Sequence, residues 1–161
     1  MNRLMMIAAI VAVPATAAVA QAPMTAATYV AKAGAGDQYE IQSSKLLLQT
    51  TQNPKLKQFA TMMVTDHQKS TAEVKAAAMA AKMTPGAPHL DATGQRDVAA
   101  LRAAKGSARD TLYVRQQKAA HAKALALHQG YAAHGSVASL KTAAGSIAPV
   151  VQTHIRELAS M

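Results

Sequence analysis

The sequence MTPGAPHLDATG, residues 83–94, divides the chain into two halves and decides how those halves are connected. It is the longest turn-rich stretch, whereas the residues around it are dominated by Ala, Leu, Lys, Gln and Met. These residue types favour helices, and runs of Val, Ile and Thr with period-two alternation are missing. The sequence therefore predicts an all-α fold.

Shorter breaks divide each half into helices. Asn53-Pro54 separates two periodic segments, and Pro54 is suited to the first position of a helix. Gly135 is a typical helix stop, and Ser136 is a typical N-cap. Together the breaks predict four long helices, at about 25–51, 54–83, 107–134 and 136–160, and a shorter one at 94–105.

The lengths of the connections indicate the topology. The loops within each half have only a few residues, so each half should form an antiparallel helical hairpin. Residues 84–106 are long enough to run the length of a helix of ~29 residues. Such a crossover is typical of a ferritin-like four-helix bundle, and a short helix that caps one end of an ordinary bundle is the alternative.

The N-terminal residues 1–20, MNRLMMIAAIVAVPATAAVA, have the features of a secretory signal peptide. Arg3 precedes an apolar stretch, and Ala18-Val19-Ala20 is a small-x-small cleavage site. Pro14 interrupts the apolar stretch, which is shorter than the ~20 residues of a membrane span. We therefore expect cleavage after Ala20, a single domain at 21–161, a periplasmic or secreted location in a bacterium, and no transmembrane anchor.

Composition limits the partners. The chain has 17 Lys+Arg against 8 Asp+Glu, one Phe, no Trp and no Cys. The absence of Cys excludes disulfides, thiolate metal sites and thiol catalysis. Dispersed basic residues and few aromatic ones argue against specific nucleic-acid binding, but the positive charge is compatible with weak association with anionic envelope surfaces.

Each long helix has one ionisable residue on its apolar stripe: Glu40, His67, His121 and His154. Buried ionisable groups need partners, so these residues should meet one another, water or a metal. One possibility is a hydrogen-bonded layer that fixes the register between helices. The other is a mononuclear site for Zn, Cu, Ni or Fe.

Two further patterns bear on this layer. Asp66 points about 100° away from His67, toward the surface, where Lys69 is its expected partner. The predicted depths of His121 and His154 in their hairpin differ by about five residues, or ~7 Å. A site built from three of the four groups is therefore easier to form than one built from all four.

Four stretches resemble an exported bacterial family that is catalogued as domain of unknown function 4142. They are AGAGDQYEIQSSKL around Glu40, NPKLKQFATMMVTDHQKS, RDTLYVRQQKAAH and APVVQTH. The resemblance implies a ferritin-like bundle and export, and it implies no established reaction. Arg109 departs from the family, which usually has an aromatic residue there.

Diiron proteins of the wider ferritin-like superfamily carry Glu-x-x-His on two helices. Val64 and Val151 stand where those glutamates would be, so standard diiron chemistry is not expected. The sequence favours a non-enzymatic exported bundle that acts as a structural or interaction module of the cell envelope. The alternative is a metal-binding or metal-dependent redox protein that uses Glu40, His67, His121 and His154.

Overall fold

The computed structural model describes residues 24–161, and the regular secondary structure of this part of the chain is entirely helical. The helices are α1 (Ala26–Leu48), α2 (Pro54–Ala80), α3 (Ala92–Ala103), α4 (Gly106–His134) and α5 (Ala138–Ala159). The predicted all-α fold is confirmed, and the helix ends agree with those expected to within about three residues. The predicted signal peptide, residues 1–20, lies outside the described residues. Within residues 24–161, each helix is too short or too polar to span a membrane.

Side chains at the breaks define the helix starts. Asn53 accepts hydrogen bonds from the backbone N–H groups of Lys55 and Leu56, and Pro54 occupies the first turn of α2 as predicted. The prediction that Ser136 caps the last helix is wrong, because Val137 holds the N-cap position of α5 without a side-chain hydrogen bond.

The four long helices form a bundle in which α1 packs against α2 and α4, and α5 packs against α4 and α2. Tyr29, near the start of α1, stacks on Tyr131, near the end of α4. Thr51, just after α1, donates a hydrogen bond to Asp110, near the start of α4. Helices α1 and α4 are therefore antiparallel.

The connection between α2 and α4 follows α1 from its beginning toward its end. Pro88 lies against Gly34, and Gly94 lies against Tyr39 further along α1. Leu101, near the end of α3, joins the same apolar cluster as Leu47. Helix α3 packs against α1 and α4, so the connection lies along the side of the bundle.

Arg109 fixes the end of this connection. Its guanidinium is buried and donates hydrogen bonds to the backbone carbonyls of Arg102 and Ala104 and to the hydroxyl of Thr50. The first two acceptors are at the C-terminal end of α3, where carbonyls lack helical partners. The charged side chain of Arg109 therefore joins α3 to the loop after α1.

The core consists of two apolar clusters with a polar layer between them. One cluster surrounds the stacked Tyr29 and Tyr131, and the other surrounds Phe59 and Tyr113. Each long helix contributes to both clusters and carries buried polar residues between them. They include Asp37, Glu40, His67, Gln117, His121 and His154.

Candidate metal centre

Three histidines from three helices converge in the polar layer. His67 on α2, His121 on α4 and His154 on α5 are 5%, 0% and 2% exposed. Each offers one ring nitrogen, and these three atoms lie within 4.8 Å of one another. The ring centroids form a nearly equilateral triangle with sides of 5.7, 5.7 and 5.3 Å. Three of the four residues that the sequence singled out therefore share one site.

The depth difference between His121 and His154 is smaller than the sequence predicted. Helix α5 begins at Ala138, two residues later than expected, which brings His154 closer to the level of His121. The remaining offset of about three residues, or ~4.5 Å, is bridged by the two side chains.

The outer nitrogen of each imidazole contacts an oxygen acceptor. His67 Nδ1 lies 2.8 Å from Asp37 Oδ1, and His154 Nε2 lies 3.0 Å from Asp66 Oδ2. His121 Nδ1 lies 3.0 Å from the backbone carbonyl oxygen of Gln117. Ionised carboxylates and carbonyls only accept hydrogen bonds, so each outer nitrogen carries the hydrogen and donates it. In a neutral ring, the inner nitrogen then carries a lone pair.

Two of these lone pairs face each other. His121 Nε2 and His154 Nδ1 are 3.3 Å apart. Burial, together with the charges of His67 and His154, lowers the pKa of His121 to about 3. Burial also lowers the pKa of His154, although its hydrogen bond to Asp66 partly opposes this effect. Both rings are thus neutral at pH 7. With a lone pair on each inner nitrogen, a positive charge between or beside the two nitrogens would stabilise this short separation.

His67 completes the triangle and differs from the other two histidines. Burial lowers its pKa, but the hydrogen bond to Asp37 and the charges of Glu40, Asp37 and Asp66 outweigh burial, so the pKa is raised. Its inner atom Nε2 is buried and has no hydrogen-bond partner among the described residues. A proton on this nitrogen or a metal ion at the centre could each supply the positive charge.

Glu40, the fourth candidate from the sequence, lies behind His121. Its Oε1 is 3.6 Å from His121 Nδ1, the ring nitrogen that points away from the other histidines. Burial raises the pKa of Glu40 to about 7, against the opposing charge of His67 and the neighbouring Gln117 amide. Glu40 is therefore outside the triangle of converging nitrogens and contacts it through His121.

Two aspartates, Asp37 and Asp66, complete the site, and neither is among the site residues predicted from the sequence. Asp66 was expected to pair with Lys69 on the surface, and this is wrong: its side chain is 32% exposed and binds His154, while Lys69 lies 3.9 Å from Glu73. Asp37 is buried on the same stripe of α1 as Glu40. Its position one turn before Glu40 was the available signal.

One side of the triangle has the length that a tetrahedral metal ion requires, whereas the inner nitrogen of His67 lies beyond hydrogen-bond distance of the other two and would have to move inward to bind the same ion. Metal–nitrogen bonds of 2.0–2.1 Å at tetrahedral angles put two ligand nitrogens about 3.3–3.4 Å apart, which matches the separation between His121 and His154. Carboxylates or carbonyls behind ligand histidines are usual in metal sites, where they fix the tautomer and increase the basicity of the ligand. The three inner nitrogens could hold one ion with a fourth position open.

Comparison with solved structures identifies similar folds. A presumed secreted DUF305 protein from Streptomyces coelicolor has a TM-score of 0.70 at 12% identity, with 84% of this chain and 89% of that chain covered. A DUF305 fragment from Deinococcus radiodurans has a TM-score of 0.72 at 14% identity, with coverage of 86% and 96%. CopM in the Cu(II)-bound form has a TM-score of 0.71 at 17% identity, with coverage of 86% and 95%. At these identities the similarity establishes a shared helical fold alone.

Sequence comparison gives the family. No curated protein matches the chain significantly. A family profile described as a domain of unknown function matches residues 11–161, which is most of the chain. The protein therefore belongs to the family DUF4142.

Proposed function

We propose that this protein is an exported helical bundle that binds one transition-metal ion through His67, His121 and His154. The observation that carries the proposal is the pair of inner nitrogens, His121 Nε2 and His154 Nδ1, 3.3 Å apart in two rings whose outer nitrogens already donate hydrogen bonds. A metal ion satisfies both lone pairs and the unpartnered Nε2 of His67 at once.

The surrounding groups suit a bound cation. Asp37 and Asp66 each hold one ligand histidine, and Glu40 lies 3.6 Å from the third. The carboxylates offset the charge of a divalent ion, which would otherwise be costly in an interior. The three histidines are almost completely buried, which favours binding or storage of an ion over catalysis on a large substrate.

Imidazole ligands suit Cu(II), Zn, Ni and Fe, and Cu(II) is the first ion to test. One protein of the same fold, CopM, is known in a Cu(II)-bound form. Export is supported by the signal-like residues 1–20, and a DUF305 protein of the same fold is presumed to be secreted. We also infer a ferritin-like topology, because the connection between α2 and α4 follows the length of α1.

A second candidate function is that of a structural or interaction module without metal. It is favoured by the position of the polar layer between two apolar clusters, where the hydrogen bonds from His67 to Asp37 and from His154 to Asp66 join different helices. Under this alternative, a proton on His67 supplies the positive charge and the layer fixes the register of the bundle.

Metal titration distinguishes the two functions. We expect one equivalent of Cu(II) or Zn to remain bound after dialysis, and a free metal concentration of ~100 times Kd to add about 2.7 kcal/mol to the free energy of unfolding. His67→Gln should abolish this gain, because it removes a ligand nitrogen. His134→Gln, at an exposed helix end, is the matched control and should bind metal normally.

A second, milder variant distinguishes loss of a metal ligand from loss of folding. Asp37→Asn keeps the shape of the side chain but weakens its hold on His67, so metal affinity should fall by about 10–100-fold with unchanged stoichiometry. Circular dichroism checks that each variant is folded. If the wild-type protein retains no metal and gains no stability from any of the four ions, the metal-binding proposal is wrong and the structural one stands.

A further inference from the structure

The three histidines are almost completely buried, so an ion needs a route to reach them. A surface pocket of about 330 Å³ lies between α1, α2 and the loop that follows α2. We propose that this pocket is the route by which the metal ion reaches His67, and that Met83 and His89 bind the ion in transit. The proposal rests on the metal-binding function above.

The floor of the pocket is in direct contact with the site. Asp37 lines the pocket, and its Oδ1 accepts the hydrogen bond from His67 Nδ1 at 2.8 Å. Its Oδ2 accepts a hydrogen bond from the Thr71 hydroxyl at 2.9 Å, and Thr71 also lines the pocket. One carboxylate therefore separates the pocket from the ring of a proposed ligand, and a carboxylate attracts a cation.

The wall of the pocket offers two further donors. Met83 and His89 line it together, on the loop that follows α2. His89 Nδ1 lies 3.2 Å from the backbone carbonyl oxygen of Leu90, so Nδ1 donates and Nε2 keeps its lone pair. Thioether and imidazole groups are both ligands of copper. An entering ion could therefore contact the Met83 thioether and the His89 imidazole first, and the Asp37 carboxylate next.

The other partly open side of the site is at Asp66, which holds His154 and is 32% exposed. Asp66 does not line the pocket at Asp37. The pocket at Asp37 opens to solvent and has three donor types, so it is the favoured route. Lys75, at its edge, is exposed and can keep its ammonium in solvent.

Stopped-flow loading of the metal-free protein with aqueous Cu(II) tests the route. The double variant Met83→Leu, His89→Ala should load about tenfold more slowly, because the residues that concentrate the ion at the pocket are lost. Its Kd should equal that of the wild type, since groups on the route change binding and release rates by the same factor. The control is Met79→Leu, His134→Ala, which changes the same residue types at exposed positions outside the pocket.

A second variant obstructs the pocket without changing any metal donor. Ala31 is exposed and lines the pocket, so Ala31→Trp should slow loading, while Ala76→Trp, at an exposed position outside it, should not. Unchanged loading rates in both pocket variants, or equal slowing in their controls, would overturn the proposed route. These results are distinguishable from failure of the metal site itself, which would appear as absence of binding in the wild type or normal binding by His67→Gln.

Discussion

Glu40 differs from Asp37 and Asp66, the other two carboxylates that contact the histidines. Asp37 and Asp66 each accept a close hydrogen bond from a histidine, whereas Glu40 Oε2 is buried without a partner among the described residues. An unsolvated carboxylate is costly to ionise, and burial accordingly raises the pKa of Glu40 from 4.5 to about 7. At neutral pH this residue is close to its titration midpoint.

This pKa predicts a pH dependence of stability. Because the folded-state pKa of Glu40 lies above 4.5, its contribution to stability is fully present below about pH 4.5 and is lost as the pH rises through about 7. The loss should be on the order of 3 kcal/mol, given 1.36 kcal/mol per pKa unit. Glu40→Gln should remove it, as measured by urea unfolding of the metal-free protein between pH 4.5 and 8.

The exposed Glu157 gives the matched control, since Glu157→Gln should leave the pH profile unchanged. The buried His128 acts in the opposite direction: burial lowers its pKa to about 4, so its contribution is lost as the pH falls below its unfolded value of 6.5. The comparison of Glu40→Gln with the wild type isolates the loss of stability that Glu40 causes as the pH rises. A parallel pH profile in the two proteins would show that Glu40 is not a strained carboxylate.

The sequence placed the three histidines in one buried layer but did not identify their acidic partners. Apolar periodicity alone identifies a buried imidazole, because each histidine lies on the stripe of its own helix. Whether Asp37 or Glu40 lies level with His67 depends on where α1 ends. Helix α1 ends at Leu48 instead of residue 51. Asp66 lies off the inward stripe of α2 and reaches His154 on α5 across the helix interface. A contact between side chains of different helices cannot be derived from the period of either helix.

At the scale of the elements, Arg109 connects three segments of the chain. Its guanidinium contacts two carbonyls at the end of α3 and the Thr50 hydroxyl after α1, with Nη1 2.8 Å from that oxygen. Unpaired carbonyls at a helix end are costly when buried, and a cation near them is favourable. The position of α3 on the bundle should therefore depend on this side chain.

We predict that Arg109→Met lowers the free energy of unfolding by about 2–3 kcal/mol, because it keeps the apolar stem but removes hydrogen bonds made by a charged group. Arg109→Lys should recover only part of the loss, since an ammonium cannot reproduce the geometry of the guanidinium. Arg102→Met, at an exposed position on α3, is the control. Equal stability of Arg109→Met and Arg102→Met would contradict this role.

The helices were predictable because short sequence signals at their ends separate them. Asn53-Pro54 and the turn-rich residues 83–94 separate the helices, and both signals act within a few residues. The false prediction at Ser136 has the same local origin: a residue suited to an N-cap was adjacent to the true cap, Val137. The course of residues 81–105 along α1 depends on packing, and only its length could be read from the sequence.

At the scale of the whole molecule, the polar layer affects how charge is distributed between the interior and the outer surface. The chain has 17 Lys+Arg and 8 Asp+Glu, for a formal net charge of +9. Three of these acidic residues, Asp37, Glu40 and Asp66, face histidines in the layer and do not balance surface lysines. The outer surface is therefore more cationic than the net charge suggests, which favours an anionic partner surface.

We predict that the protein binds vesicles of anionic lipid at ~0.01 M salt and is released by ~1 M salt, where the Debye length falls from about 30 Å to about 3 Å. Co-sedimentation with vesicles measures this, and vesicles of zwitterionic lipid should bind none of the protein. Charge acting at a distance depends on the number of lysines and arginines more than on their arrangement. Binding that resists salt would require a different explanation, such as insertion of an apolar side chain.

A pair of triple variants tests whether the charge acts as a whole or through one groove. Lys55, Arg115 and Lys118 line a single pocket near the start of α2, whereas Lys32 and Lys45 lie toward opposite ends of α1 and Lys123 lies within α4. Replacing either set with Gln removes three positive charges, so a dispersed field predicts the same loss of vesicle binding in both variants. A much larger loss from the first set would instead identify the groove as a specific anion site and would refute the dispersed-charge explanation.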